Sequence, residues 1–208
     1  MTLFVKICGL KTEQDVDTAV EAGADAIGFV FSESPRRIDP ATAARLAARV
    51  PAGVLTVGVF RREPLEYVRA AAVDSGIGAI QLHGPEDRAY YADLAGGAWT
   101  LIRAAAFGDT VPRCGELGED LLLLDAPVPG SGIAWDWSRM PAAGSAEKWL
   151  LAGGLTPENV REAVQVTRPW GVDVSSGVEA SRGVKDPSLI TAFVEAARSG
   201  TPAASPVD

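Results

Sequence analysis

Cys8, His83, Asp125 and Asp173 share one kind of address: each ends or interrupts a short apolar run, with glycine, serine or a loop within two residues. A thiol has an ordinary pKa of about 8.5, so little of it is thiolate near neutrality unless a cation or helix start helps. Lys6 lies two residues before Cys8, on the same face if this run is a strand, and supplies such a cation. Equally, Cys8 fits as a small buried hydrophobe. Asp125 follows Leu121-Leu-Leu-Leu124, a run suited to a strand covered on both faces. It is either a loop cap or a group placed for proton transfer, and partial burial would let it hold a proton as a general acid must.

Two further segments suit an anion. Leu150-Leu-Ala-Gly-Gly-Leu155 and Gly171-Val-Asp-Val-Ser-Ser-Gly177 each run from a strand into small residues, about one strand-helix unit apart. Side by side, Gly154, Ser176 and Gly177 would make a phosphate cradle, because glycine admits close approach and a following helix start offers free N–H groups. A phosphosugar is the ligand class this suggests. Arg36, in Ser32-Glu-Ser-Pro-Arg-Arg37, can grip a carboxylate or phosphate bidentately, whereas Arg37 reads as solvated. Asp173 needs partners inside its strand, and sugar or serine hydroxyls would serve. His83, the single histidine, reads as a hydrogen-bonded wall residue or a base. Trp135 and Trp137 read as cover for the core.

Such residues meet only if remote strand ends converge. Strands are expected at Phe4–Ile7, Ala26–Phe31, Leu55–Phe60, Ala79–Leu82, Thr100–Ala105, Leu121–Leu124, Lys148–Ala152 and Gly171–Val174. Helices are expected at Thr12–Ala22, Pro40–Val50, Pro64–Ser75, Pro85–Ala95, Pro157–Val166 and Pro187–Arg198, with Thr12, Asp39, Gly84, Thr156 and Asp186 as N-caps and proline at the first position of four. Phe107–Gly118 and Trp135–Ala146 leave room for a turn or two of helix. Eight alternating units imply right-handed parallel crossovers and closure into an α/β (βα)8 TIM barrel, whose C-terminal strand ends share one mouth. A doubly wound sheet is disfavoured, since the first strand runs into Cys8-Gly-Leu-Lys11 and not into GxGxxG.

The 208 residues, 47% hydrophobic and 22% charged, suffice for one core, and residues 1–199 read as a single barrel domain followed by a flexible tail at 200–208. A net charge of -8 without a Lys/Arg cluster argues against nucleic acid. Two distant cysteines, Cys8 and Cys114, suggest neither a zinc site nor a disulfide framework, and they fit a reducing cytoplasm. No signal peptide or membrane-length apolar run is visible, and monomer and homodimer both stay open.

With these residues in place, the chain resembles the phosphoribosylanthranilate isomerase family. The resemblance is carried by Lys6-Ile-Cys-Gly-Leu10, Gly28-Phe-Val-Phe31 with Ser34-Pro-Arg36, Val57-Gly-Val-Phe60, Gln81-Leu-His-Gly84, Ala152-Gly-Gly-Leu-Thr-Pro-Glu-Asn159, Gly171-Val-Asp-Val-Ser-Ser-Gly-Val-Glu179 and Gly183-Val-Lys-Asp186. It implies an Amadori rearrangement without a cofactor, in which Asp125 is the acid that opens the ribose ring and Cys8 the base that removes the C2 proton. It also implies a phosphate site at Gly154, Ser176 and Gly177, Arg36 at the anthranilate carboxylate and Asp173 toward the sugar hydroxyls. One stretch departs from the pattern: Pro129-Gly-Ser-Gly-Ile-Ala-Trp-Asp-Trp137 lacks the lysine common in that loop. Arg61-Arg62 stands where smaller polar residues are usual and receives no role. The alternatives are a related histidine-pathway or dual-substrate isomerase, which would carry aspartate at position 8, and a non-catalytic phosphosugar-binding barrel.

Overall fold

The computed structural model describes residues 2–108, 111–127, 137 and 148–199. Eight parallel strands close on themselves in chain order: β1 (Phe4–Cys8), β2 (Ala26–Val30), β3 (Leu55–Phe60), β4 (Ala79–Leu82), β5 (Thr100–Ala106), β6 (Leu121–Asp125), β7 (Trp149–Leu151) and β8 (Gly171–Val174). The expected (βα)8 barrel is therefore the fold. Closure is made by β1 against β8, with Phe4, Val5, Lys6 and Ile7 registered to Gly171, Val172, Asp173 and Val174.

Alternation along each strand sorts the side chains into two cores. Val5, Ile7, Leu122, Leu124, Val172, Val174, Ile80 and Leu82 pack outward under the helices. Ala26, Val57, Ala79, Ile102, Leu121, Leu123 and Leu150 fill the barrel, with Phe4 and Trp170 stacked at its base at a centroid distance of 4.6 Å. The same two-residue period turns Lys6, Cys8, Gln81, Asp125 and Asp173 inward, so polar groups from four strands face the interior near its C-terminal rim.

The described helices are α1 (Glu13–Glu21), α2 (Pro40–Ala47), α3 (Leu65–Ser75), α4 (Arg88–Leu94), α5 (Val160–Thr167) and α6 (Pro187–Ser199). Thr12 and Asp39 cap α1 and α2, accepting from the N–H groups of Asp15 and Thr42, and Asp186 accepts from Ser188 at the start of α6. Two expected starts are corrected. Asp87, not Gly84, caps α4, since its carboxylate accepts from Tyr90 N–H and Gly84 has no side chain to offer. Asn159, not Thr156, precedes α5, because its side chain accepts from Thr156 N–H and donates to Gly154 O, tying residues 154–159 into a turn. Pro85 and Pro157 thus precede their helices by three residues, while Pro40 and Pro187 open theirs.

No helix occurs among the described residues of 107–118. The expected turn over Trp135–Ala146, the departing loop and the 200–208 tail lie outside the described residues, apart from Trp137, which packs half-buried against the outer core as expected. Between β8 and α6 the chain makes a 3-10 turn (Ser176–Val178) and then an unforeseen antiparallel pair, β9 (Glu179–Ser181) with β10 (Val184–Lys185). No described helix is long and apolar enough to cross a membrane.

Gly171 tests how tightly the seam is packed: a Cβ there would lie 2.6 Å from both the Phe4 carbonyl oxygen and Leu150 Cδ2. Gly171→Ala should destabilise the protein by about 1–3 kcal/mol through overpacking against backbone, read as a fall in thermal midpoint. An unchanged midpoint would mean that the seam yields freely.

Candidate active site

Because the strands are parallel, Cys8 at the end of β1, Asp125 at the end of β6 and the loops after β7 and β8 all open on one rim. A cleft there is lined by Asp125, Asp173, Gly153, Gly154, Ser175 and Ser176. Cys8 is 6% exposed and sits opposite Gly28 across the β1–β2 ladder. A Cβ on Gly28 would come within 2.9 Å of the Cys8 sulfur, so a glycine is what leaves the thiol its place. Sequence reading had no means to see this pairing.

Two ionic groupings surround the thiol. In the first, the ammonium of Lys6, 0% exposed, donates to Asp173 Oδ1 at 2.7 Å, from two residues before Cys8 on the same face of β1. Burial pulls the Lys6 pKa down, but the charges of Asp173 and Cys8 outweigh it and hold the ammonium above its ordinary range. Burial pushes the Cys8 thiol up, and the nearby Lys6 and Lys185 only partly offset this. The partner the structure provides for Asp173 is Lys6, where sequence reading had named hydroxyls.

The second grouping is built on Glu179. Its carboxylate accepts from Arg36 Nε at 2.6 Å and Arg36 Nη2 at 2.9 Å, from Lys185 Nζ at 3.1 Å and from Gly183 N–H at 3.0 Å. Lys185 also donates to the Ser175 carbonyl at 2.7 Å, which ties the β9–β10 hairpin to the loop after β8. Burial opposes the charge on Glu179, but these donors hold its pKa down to about 2. Gly9 makes the arrangement possible: at φ +80° it carries no Cβ, which would otherwise lie 2.7 Å from Arg36 Cδ. Arg36 is thus at the rim as expected, with Glu179 as its bidentate partner.

Asp125 is 8% exposed, with Oδ1 accepting from Ala126 N–H at 2.8 Å and Oδ2 3.2 Å from His83 Nε2. Capping and a place in the cleft therefore coexist. Burial lowers the His83 pKa, but the hydrogen bond and charge of Asp125 prevail and raise it overall. The expected wall histidine is thus a direct neighbour of the candidate acid. His83 also borders a hollow of about 480 Å³ on the β3–β5 side, lined in addition by Arg61, Arg62, Glu86, Tyr91 and Arg103. That volume lies in the range small-molecule sites occupy.

The loops after β7 and β8 pack closely. Gly153 and Gly154 have φ of +86° and +69°, and a Cβ on Gly177 would run into the Leu155 carbonyl oxygen. A Cβ on Gly153 would collide with the Ala126 amide nitrogen, so glycine is required where these main chains meet, and Gly154 and Ser176 line the cleft. No group of three or more His, Cys, Asp or Glu side chains that could hold a metal ion occurs among the described residues.

Residues 5–196 match the family model for N-(5'-phosphoribosyl)anthranilate (PRA) isomerase. The chain belongs to this family. It is 47% identical to N-(5'-phosphoribosyl)anthranilate isomerase of Roseiflexus sp. (strain RS-1), over 93% of this chain and 97% of that protein. Its fold is similar to the crystal structure of TrpF from Jonesia denitrificans, with 43% identity, a TM-score of 0.87 and coverage of 95% and 98% of the two chains. It is also similar, at 35% identity and a TM-score of 0.78 over 95% of this chain and 99% of the other, to a phosphoribosyl anthranilate isomerase in complex with reduced 1-(o-carboxyphenylamino)-1-deoxyribulose 5-phosphate.

Two rim residues were missed as functional candidates within this family pattern: Glu179 and Lys185. Both stand inside motifs that carry the resemblance, yet Glu179 lies 143 positions from Arg36, and only the barrel's closure brings them together.

The depressed pKa of Glu179 fixes a pH dependence. A carboxyl held at about 2, below its ordinary 4.5, contributes stability that is complete above 4.5 and lost as pH falls toward 2. Glu179→Gln should melt below wild type at pH 7, and the two melting curves should converge between pH 4.5 and 2. A difference that stays constant across that window would show that the ionic network contributes nothing.

Proposed function

We propose that the protein converts N-(5'-phosphoribosyl)anthranilate into 1-(2-carboxyphenylamino)-1-deoxyribulose 5-phosphate in tryptophan biosynthesis. The observation that carries this reading is the family match from residue 5 to residue 196, which includes every candidate residue. In this scheme the Asp125 carboxylic acid gives its proton to the ribose ring oxygen as the C1–O bond breaks, leaving an iminium at C1. Cys8 thiolate then takes the C2 proton, and the resulting enol tautomerises to the ketone.

The surroundings support each role. Asp125 lines the cleft beside His83, a neighbour that can stabilise the carboxylate once its proton has left. Gly154, Ser176 and Gly177 suit the phosphate, since the small residues and the start of a 3-10 turn leave backbone N–H groups within reach of an anion. Arg36 keeps guanidinium N–H groups beyond the two that Glu179 uses, and these suit the anthranilate carboxylate. Asp173 borders the cleft and suits a sugar hydroxyl. The ligand is a small phosphosugar, no cofactor is invoked, and the thiol of Cys8 supports a cytoplasmic setting.

The test follows the fluorescence of freshly prepared phosphoribosylanthranilate as it is consumed. Wild type should turn it over; Asp125→Asn and Cys8→Ser should each lose about 10²–10⁴-fold in kcat while still binding the reduced product analogue. Binding without turnover in wild type would make this a non-catalytic barrel. Undiminished turnover in Cys8→Ser would return the thiol to the core.

A further inference from the structure

The barrel interior holds one charged group that the scheme above leaves unused. Lys6 is fully buried, its ammonium 2.7 Å from Asp173 Oδ1. It lies one layer below Cys8 on the inward face of β1, and Asp173 is its registered partner on β8. Three charged groups face the thiol: Lys6 from its own strand, Asp173 from β8 and Lys185 from the β9–β10 hairpin. Lys185 is occupied by the Ser175 carbonyl and Glu179, the carboxylate that also holds Arg36. Lys6 neighbours Cys8 on one face of β1, and its charge acts on the sulfur more strongly than that of Lys185.

We propose that Lys6 is a positioning residue for the rearrangement: its ammonium, locked by Asp173, is the counter-cation that carries the negative charge of Cys8 Sγ while that sulfur is a thiolate. The inference rests on Cys8 being the base. When the thiolate takes the C2 proton, the C2–H electron pair becomes the C1=C2 bond and the C1=N pair moves to nitrogen, neutralising the iminium. Cys8 is left a neutral thiol, and Lys6 stays protonated throughout, balanced by Asp173 alone. A single buried cation thus serves two anions in turn. Held at 2.7 Å by the Asp173 carboxylate, it stays in place through the step. The assignment also gives Asp173 a second part, since the carboxylate that borders the cleft fixes the ammonium from the opposite strand.

The two charges act on the sulfur with opposite sign, which makes the test specific. The pH dependence of Cys8 alkylation by iodoacetamide is read by peptide mass spectrometry, so that Cys114 does not interfere, in wild type, Asp173→Asn and the double variant Lys6→Met with Asp173→Asn. Asp173→Asn keeps the cation and removes a repelling carboxylate, so its half-point should fall below that of wild type. The double variant, which differs from it only by the ammonium, should have a half-point higher than Asp173→Asn by about one unit or more, with alkylation at pH 7 about tenfold slower. The kcat/KM pH profile of the double variant should move upward in parallel. Coincident half-points for the two variants overturn the proposal, and so does a half-point for Asp173→Asn above wild type, which decides alone if thermal melts show the double variant unfolded. Alkylation needs no substrate, so failure of wild type to turn over phosphoribosylanthranilate would overturn the proposed function separately from this reading of Lys6.

Discussion

A charged pair inside an apolar barrel is the constraint on which the site depends. Lys6 and Asp173 lie among Ala26, Ile102, Leu121, Leu123 and Leu150, where an unpaired ion would be far more costly than a paired one. They are 167 positions apart and meet only because β1 closes against β8 in one register. A slip of one residue would turn Lys6 and Cys8 toward the helices and Val5 and Ile7 into the barrel. Closure, register and catalytic chemistry are therefore one arrangement, and the polar groups at the rim inherit their placement from it.

Above that pair, the rim is ordered by groups without chemical roles of their own. Glu179 gathers Arg36, Lys185 and the backbone of Gly183, and Lys185 passes the connection to Ser175 beside the cleft. Glycines fit between them wherever two main chains or a side chain must come too close for a Cβ, as at Gly9 under Arg36 and Gly28 beside Cys8. The network pairs every cation it holds with a carboxylate: Lys6 with Asp173, and Arg36 and Lys185 with Glu179.

His83 shows how one contact changes the meaning of a residue. As a lone histidine after a strand it reads as a wall residue. Placed 3.2 Å from Asp125, it becomes the direct neighbour of a carboxylate whose hydrogen bond and charge raise its pKa. The hollow on its other side connects this pair to Arg61, Arg62 and Arg103, so the mouth is polar on both flanks of the acid.

Much of the fold was legible because it is written in local periodicity. Three of the eight strands, Leu55–Phe60, Ala79–Leu82 and Gly171–Val174, have the expected bounds, and the others shift by a residue or so at an end. Proline was the misleading signal: Pro85 and Pro157 suggested helix starts, but Asp87 caps one helix through its carboxylate, and Asn159 ties off a turn over residues 154–159 before the other begins. The candidate acid, thiol, arginine and phosphate loops were legible too, since each stands at a strand end next to glycine or a loop. What the linear order could not contain is which of these touch. That Arg36 meets Glu179, that Asp173 meets Lys6 and that Asp125 meets His83 follow from a barrel closing on itself, which brings distant strand ends within hydrogen-bond reach and makes each buried charge choose its partner from whatever lies there.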